Sequence, residues 1–180
     1  MVKKSSFNFF NGFIRHPIKV GTIFPSSSKL AEIIADEVNG KIIVEFGAGS
    51  GEITGALLSR LPADGELYSF EINKNYFNRL NNNFHDSRFF PINDYAQNYL
   101  DYVKESIDCF VSGVPLKSIP IKERDSFFNL IDAPFIQYSY INRKKFLSKY
   151  FDFVKSISVK DDFPSTKILV CKSPKINNLK

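Results

Sequence analysis

Beyond residue 25, helical and strand-length apolar patterns alternate along the chain. A first helix is predicted from the Ser26-Ser27-Ser28 cluster, whose hydroxyls can cap it, to about Val38. Its apolar face is Leu30, Ile33, Ile34 and Val38, and Asn39-Gly40 stops it. The continuous apolar run 41–46 reads as a buried strand; a glycine loop joins it to a helix over 52–60 with Leu57, Leu58 and Leu61 inward. A Pro-Ala-Asp-Gly turn at 62–65 leads to a strand at 67–71 and a helix at 74–84. The pattern continues: strand 88–92, helix 95–104, strand 107–112, helix 123–131, strand 134–141 and a basic helix at 143–151. Runs 154–159 and 166–172, separated by the turn-rich 161–165, read as an antiparallel hairpin. The alternation predicts an α/β fold: a mostly parallel sheet with helices on both faces and one antiparallel strand near the end.

Composition narrows the class. With 180 residues, 43% of them hydrophobic, the chain suffices for one domain with a core, without a separate substrate domain. No apolar stretch approaches the ~20 residues that span a bilayer, and no apolar signal region opens the sequence, so a soluble, cytoplasmic protein is expected. Cys109 and Cys171 fall in apolar, strand-like runs, where a thiol behaves as a small hydrophobe. With only His16 and His85 beside them, no cluster has metal-ligand spacing and no metal is expected; His85 reads as a cation closing its helix. Charge is unevenly placed. Lys3, Lys4, Arg15, Lys19 and Lys29 precede the first acid, Glu32, after which 19 basic residues balance 19 acidic ones. The net +5 therefore belongs to the first 31 residues, which also carry Phe7, Phe9, Phe10, Phe13 and Ile14. The chain divides into a basic, aromatic arm, 1–25, and a body, 26–180, that is neutral from Glu32 on.

The strongest chemical signal is VEFGAGSG, with Gly47, Gly49 and Gly51 spaced G-x-G-x-G between the first strand of the body and the next helix. There a parallel sheet meets its ligand, and small residues admit a close approach. A tight turn with no ligand is the plain alternative. A dinucleotide site would want its third glycine at 52; that residue is Glu52, whose carboxylate opposes a pyrophosphate at the helix start. Glu71 closes the second strand 20 residues beyond Gly51, where a carboxylate can accept both hydroxyls of a ribose. Ile72 is placed to pack on a base. Asp94, after the third strand, either accepts from an adenine amine, assisted by Asn93 or the Tyr95 backbone, or simply caps the following helix.

VEFGAGSG, the Glu71 of FEIN and the Asp94 of INDYA resemble, in order and spacing, three motifs of the class I S-adenosylmethionine-dependent methyltransferases. The resemblance covers nearly the whole chain. It implies a Rossmann-like, seven-stranded sheet with the last hairpin strand antiparallel, and S-adenosylmethionine as methyl donor, held by Glu45, Phe46, Gly47, Ala48, Gly49, Gly51, Glu71, Ile72, Asp94 and Tyr95. That cofactor has a positive sulfonium and no phosphate, which suits Glu45 and Glu52.

The acceptor is expected beyond the fourth strand, at Ser112-Gly113-Val114-Pro115-Leu116. Enzymes that methylate adenine carry Asn-Leu-Pro-Tyr there; Gly113 replaces the amide and Leu116 the aromatic, so the base clamp is missing. RHPIKVGTIFPSSSKLAEII, VEFGAGSG, VSGVPLKSIP, FIQYSY and DDFPSTKILV together resemble the bacterial phospholipid N-methyltransferases, which act on phosphatidylethanolamine or ornithine-lipid head groups; Ile141-Asn142 departs from the Gly-Pro usual after the FIQYSY strand. The expected catalytic set is Ser112, Gly113, Val114, Pro115 and Tyr138: backbone carbonyls hold a neutral amine, while Tyr138 or Tyr140 offers an aromatic face to the developing cation. Tyr138 is also considered as proton acceptor. Residues 1–20 suit an anionic lipid surface on the inner leaflet, or a lid over the cofactor. An rRNA or other nucleic-acid adenine methyltransferase, whose footprint Arg143, Lys144, Lys145 and Lys149 would extend, a small-molecule methyltransferase and a non-catalytic cofactor-binding module remain alternatives.

Overall fold

The computed structural model describes residues 27–116, 119–160 and 165–175; the arm expected at 1–25 lies outside them. Helix α1 (Ser28–Glu37) is capped by Ser27, whose Oγ accepts from the Leu30 N–H at 3.1 Å, satisfying one of the amides a helix start leaves without a partner. Leu30, Ala31, Ile34 and Ala35, at helical spacing, form its buried face. There follow β1 (Ile42–Phe46), α2 (Glu52–Arg60), β2 (Glu66–Phe70), α3 (Lys74–Asn83) and β3 (Phe89–Ile92). A 3-10 turn, Ala96–Asn98, runs into the single-turn α4 (Tyr99–Tyr102). The remaining elements are β4 (Cys109–Ser112), α5 (Ile121–Asn129), β5 (Phe135–Ser139), α6 (Lys144–Leu147), β6 (Phe151–Val159) and β7 (Thr166–Pro174).

The seven strands form one sheet in the order β3-β2-β1-β4-β5-β7-β6. All neighbours are parallel except β7, which runs antiparallel to β5 and β6. The expected sheet is therefore met. Its order reverses between β1 and β4, and the carboxyl ends of those strands flank the crevice where such sheets bind ligands.

Alternate strand residues divide between two cores. Ile43, Leu67, Val111, Ile136 and Val170 pack under α1, α2 and α3, while Val44, Phe46, Phe110, Phe135 and Leu169 meet α4, α5 and α6. In the second core the Phe46 ring has those of Phe70, Tyr99, Phe110 and Phe127 within 5.6–5.8 Å, contacts worth ~0.5–1.5 kcal/mol each beyond area burial. Cys109 and Cys171 are buried in β4 and β7, and burial pushes both thiols up to about 12, well above the range of reactive cysteines. Among the described residues no helix is long and apolar enough to cross a membrane.

Two helices are shorter than periodicity predicts. At 95–104, the Asp94 carboxylate takes the Tyr95 N–H at 2.7 Å, the Asn98 amide at 2.9 Å and the Tyr102 hydroxyl at 2.8 Å. These bonds wind the start into a 3-10 turn and leave one α-helical turn. At 143–151, the helix stops at Leu147 because Phe151 is buried and pairs with Pro174 as the first residue of β6. The helix before His85 ends at Asn83 with Phe84 as its cap, so His85 stands exposed beyond it.

Candidate functional site

The three glycines of the loop after β1 serve three different ends. Gly49 has φ 57°, and a β-carbon there would meet nothing within 4 Å; it alone turns backbone towards open space. A β-carbon at Gly51 would come within 2.7 Å of Phe84 and 2.9 Å of Leu80, so this glycine lets α3 close on the loop. At Gly47 the Val114 side chain would lie 3.0 Å away, and the glycine admits the connection after β4. Two other expected residues face inward. Phe46 is fully buried among the aromatic rings and Ala48 is 5% exposed, so both contribute through their backbones: the Phe46 carbonyl accepts from Gly113 N–H at 2.9 Å, and the Ala48 carbonyl from Gly51 N–H at 3.1 Å.

Glu71 braces the loop. Its Oε2 accepts from Gly49 N–H at 2.9 Å and its Oε1 from Asn73 N–H at 2.8 Å. A carboxylate has about four acceptor positions, so each oxygen keeps capacity for a hydroxyl. Ile72 beside it is 53% exposed, and Asn93 fixes that stretch by donating its amide to the Glu71 carbonyl at 2.7 Å and the Ile72 carbonyl at 3.3 Å. The Asp94 carboxylate is engaged by the Tyr95 N–H, the Asn98 amide and the Tyr102 hydroxyl.

Glu45 is sealed inside the sheet. Its Oε2 accepts from the Thr54 hydroxyl at 2.8 Å and the Ser69 hydroxyl at 2.6 Å, whereas Oε1 meets no donor among the described residues. Burial, opposed by those two hydroxyls and reinforced by the charges of Glu71 and Glu52, pushes its carboxyl up to about 7. Leaving a buried oxygen without a donor costs roughly 1–3 kcal/mol.

On the β4–β5 side, Ser112 is buried, Gly113 and Val114 are half-buried and Pro115 is exposed. Any side chain at 113 would collide with the Tyr138 hydroxyl, which rests on the Gly113 α-carbon. Burial and the charges of Glu45, Glu52 and Glu71 raise the Tyr138 pKa far above the ordinary phenol range. A phenol whose proton is held this tightly argues against the base role and favours that of a ring and a hydroxyl.

Sequence reasoning passed over Gln137. It is fully buried, and its Nε2 lies 3.0 Å from the Ser112 carbonyl, 3.2 Å from that of Val114 and 2.9 Å from that of Tyr138. Its two hydrogens are shared among three carbonyls, two of which were expected to hold an amine, and among 112–114 only the Gly113 oxygen has no hydrogen bond among the described residues. An amide in a strand predicted to be buried on both sides was the available signal, since such a group must find partners. A cavity of about 460 Å³ lies elsewhere, walled by Tyr68, Asn81, Phe90, Pro91, Asn93 and Tyr102 along β3. It holds no charged side chain and none of the glycine loop, so it is not where the motifs converge.

No family model matches the chain. Over 188 residues it is 24% identical to an ornithine lipid N-methyltransferase of Singulisphaera acidiphila, covering 96% of this chain and 98% of that protein. Among solved structures, a precorrin-6y C5,15-methyltransferase from Geobacter metallireducens superposes with a TM-score of 0.68 at 15% identity, over 85% of this chain and 92% of that one. An rRNA methylase from Streptococcus thermophilus does so with a TM-score of 0.55 at 15% identity, over 79% and 93% of the two chains. A lipid, a precorrin and an rRNA are named among these relatives, and what the two solved structures share with this chain is the fold: the chain has the class I methyltransferase fold.

Proposed function

We propose that this chain transfers a methyl group from S-adenosylmethionine to the amino head group of a lipid. The donor half rests on a loop that fits the cofactor: open space over Gly49, a carboxylate at Glu71 with acceptor capacity to spare, an exposed apolar Ile72, and a buried Glu45 oxygen without a donor. Glu71 would receive the ribose and Ile72 the adenine face, while the buried Glu45 would act on the positive end through its charge and not by contact. When bound, the cofactor supplies a methyl group already activated on a sulfonium. The chain's own task is then orientation, worth up to ~7–11 kcal/mol when geometry is near attack. A lipid amine must also lose a proton before it can attack, and desolvation at the half-buried 113–114 backbone lowers the pKa of an ammonium group.

The observation carrying the acceptor is the Tyr138 hydroxyl on Gly113. It occupies the space into which an asparagine at 113 would project, so a base-clamping amide has no room there. The near full-length likeness to a lipid methyltransferase supports the same reading. So does 133–151, which holds Arg143, Lys144, Lys145 and Lys149 and no acidic residue. Of these, Lys144, Lys145 and Lys149 are exposed, as are Tyr140 and Ile141 just before them. The part holding these residues, 140–149, follows the carboxyl end of β5, the sheet edge that carries the glycine loop, and suits an anionic leaflet.

Purified protein incubated with methyl-labelled cofactor and pools of aminolipid vesicles, RNA and small amines tests both halves. Label is expected in the lipid. Label in RNA alone would end the lipid reading, and label in no pool would reduce the chain to a binding module.

A further inference from the structure

We propose that Gln137 is a positioning residue for the methyl acceptor, setting the 112–114 backbone so that the Gly113 carbonyl, which no donor among the described residues engages, receives the acceptor nitrogen. This rests on the transfer reaction proposed above. On its face of the sheet Gln137 stands in line with Phe46, Ser112 and Leu169, and both Phe46 and Leu169 are wholly buried and apolar. An apolar residue would suit that row; instead the chain keeps an amide whose Oε1 finds no donor among the described residues. Its orientation is dictated by its surroundings, because turning it over would set the oxygen against three carbonyls.

The consequence falls on Gly113. Its N–H is held by the Phe46 carbonyl at 2.9 Å, the carbonyls before and after its own are held by Gln137, and the Tyr138 hydroxyl rests on its α-carbon. With no side chain at 113 to grip the acceptor, backbone geometry must do so. A neutral amine donating one N–H to the Gly113 oxygen has its lone pair aimed by that bond, and in-line transfer is sensitive to placement at the ~1 Å scale. A residue that only stitched β4 to β5 would instead lower donor binding in step with transfer.

The test uses the full chain with Gln137→Met, which keeps the length and removes the amide, and Gln137→Glu, which in its protonated form restores one donor. Four quantities are measured: thermal unfolding, S-adenosylhomocysteine affinity by calorimetry, amide hydrogen exchange, and methyl transfer to phosphatidylethanolamine–phosphatidylglycerol and ornithine-lipid vesicles. For Gln137→Met, which leaves three carbonyls without this donor, unfolding shifts to lower temperature, nucleoside affinity stays at the wild-type level and exchange quickens only at 113–116. Acceptor kcat/KM falls about 100-fold, the scale expected for a ~1 Å misplacement, at unchanged donor KM; Gln137→Glu recovers part of the loss. An unaltered acceptor kcat/KM, or an equal loss in nucleoside affinity, overturns the proposal. If wild-type protein methylates neither lipid, the substrate reading has failed instead, and exchange alone decides: no local quickening at 113–116 sinks the role of Gln137.

Discussion

Glu45 and the loop glycines show how single positions divide the work of the site. Folding raises the Glu45 pKa from 4.5 to about 7, chiefly through burial, so the native state holds this proton more tightly than the unfolded chain does. The stability it adds is complete below pH 4.5 and is lost as pH rises through about 7. Unliganded wild-type protein should therefore lose stability relative to Glu45→Gln across that window, each tenfold change in proton affinity being worth about 1.4 kcal/mol. Parallel melting-temperature profiles for the two proteins would contradict this. A cationic ligand favours the ionised carboxylate, so S-adenosylmethionine, with its sulfonium, should bind more weakly as pH falls below about 7, with proton uptake by the released site visible in calorimetry across buffers. The glycines part company in the same way. Gly49→Val meets strain at φ 57° but no neighbour, costing ~1–2 kcal/mol while filling the space a ligand needs. Gly51→Val drives into Leu80 and Phe84 and should cost about 3 kcal/mol or more. Denaturant midpoints and nucleoside titrations should thus rank the two variants in opposite orders, and a common order would merge the roles assigned to them.

Among the elements, β3 is the outermost strand on its side of the sheet and carries a built-in safeguard. The Arg88 and Ile92 carbonyls accept from β2, so Pro91, out of phase with them, turns its nitrogen to the open edge, where it has no N–H to offer. Pro91→Val should leave stability within about 1 kcal/mol yet promote association visible by light scattering; a variant that stays monomeric would show that the proline guards nothing. The same elements show what a sequence discloses. Strand after strand was legible because burial on two faces forces continuous apolar runs, and the α1 start because Ser27 is a hydroxyl placed before an amphipathic stretch. The ends of α4 and α6 were not, because Asp94 gathers three donors ahead of its helix and Phe151 pairs with Pro174 in the sheet, neither of which helical periodicity registers. The glycine loop announced itself by spacing. Gln137 did not, since its meaning depends on register with Ser112, 25 residues away, and Gly113 looked like a missing amide until Tyr138 was found resting on it.

For the whole molecule the question is how a sheet edge with its buried carboxylates finds an acceptor at a surface. The net +5 of the chain resides in its first 31 residues, while the rest is neutral overall but carries the acid-free basic stretch of 133–151. Because α6 follows the carboxyl end of β5, that stretch and the glycine loop share one edge, and a leaflet meeting Lys144 and Lys145 would also meet the mouth of the site. Each Lys or Arg near an anionic leaflet contributes ~1 kcal/mol. Replacing Arg143, Lys144 and Lys145 together by glutamine should therefore weaken binding to phosphatidylglycerol vesicles by about 3 kcal/mol, roughly 100-fold. The loss should shrink as salt is raised and vanish on zwitterionic vesicles. Deleting residues 1–15, which removes Lys3, Lys4, Arg15 and the aromatics between them, should weaken binding independently, so the two losses add. Vesicle sedimentation of the four proteins separates the cases: if only the deletion matters, the arm alone finds the membrane, and if only RNA binding falls in the triple variant, the edge belongs to a nucleic acid.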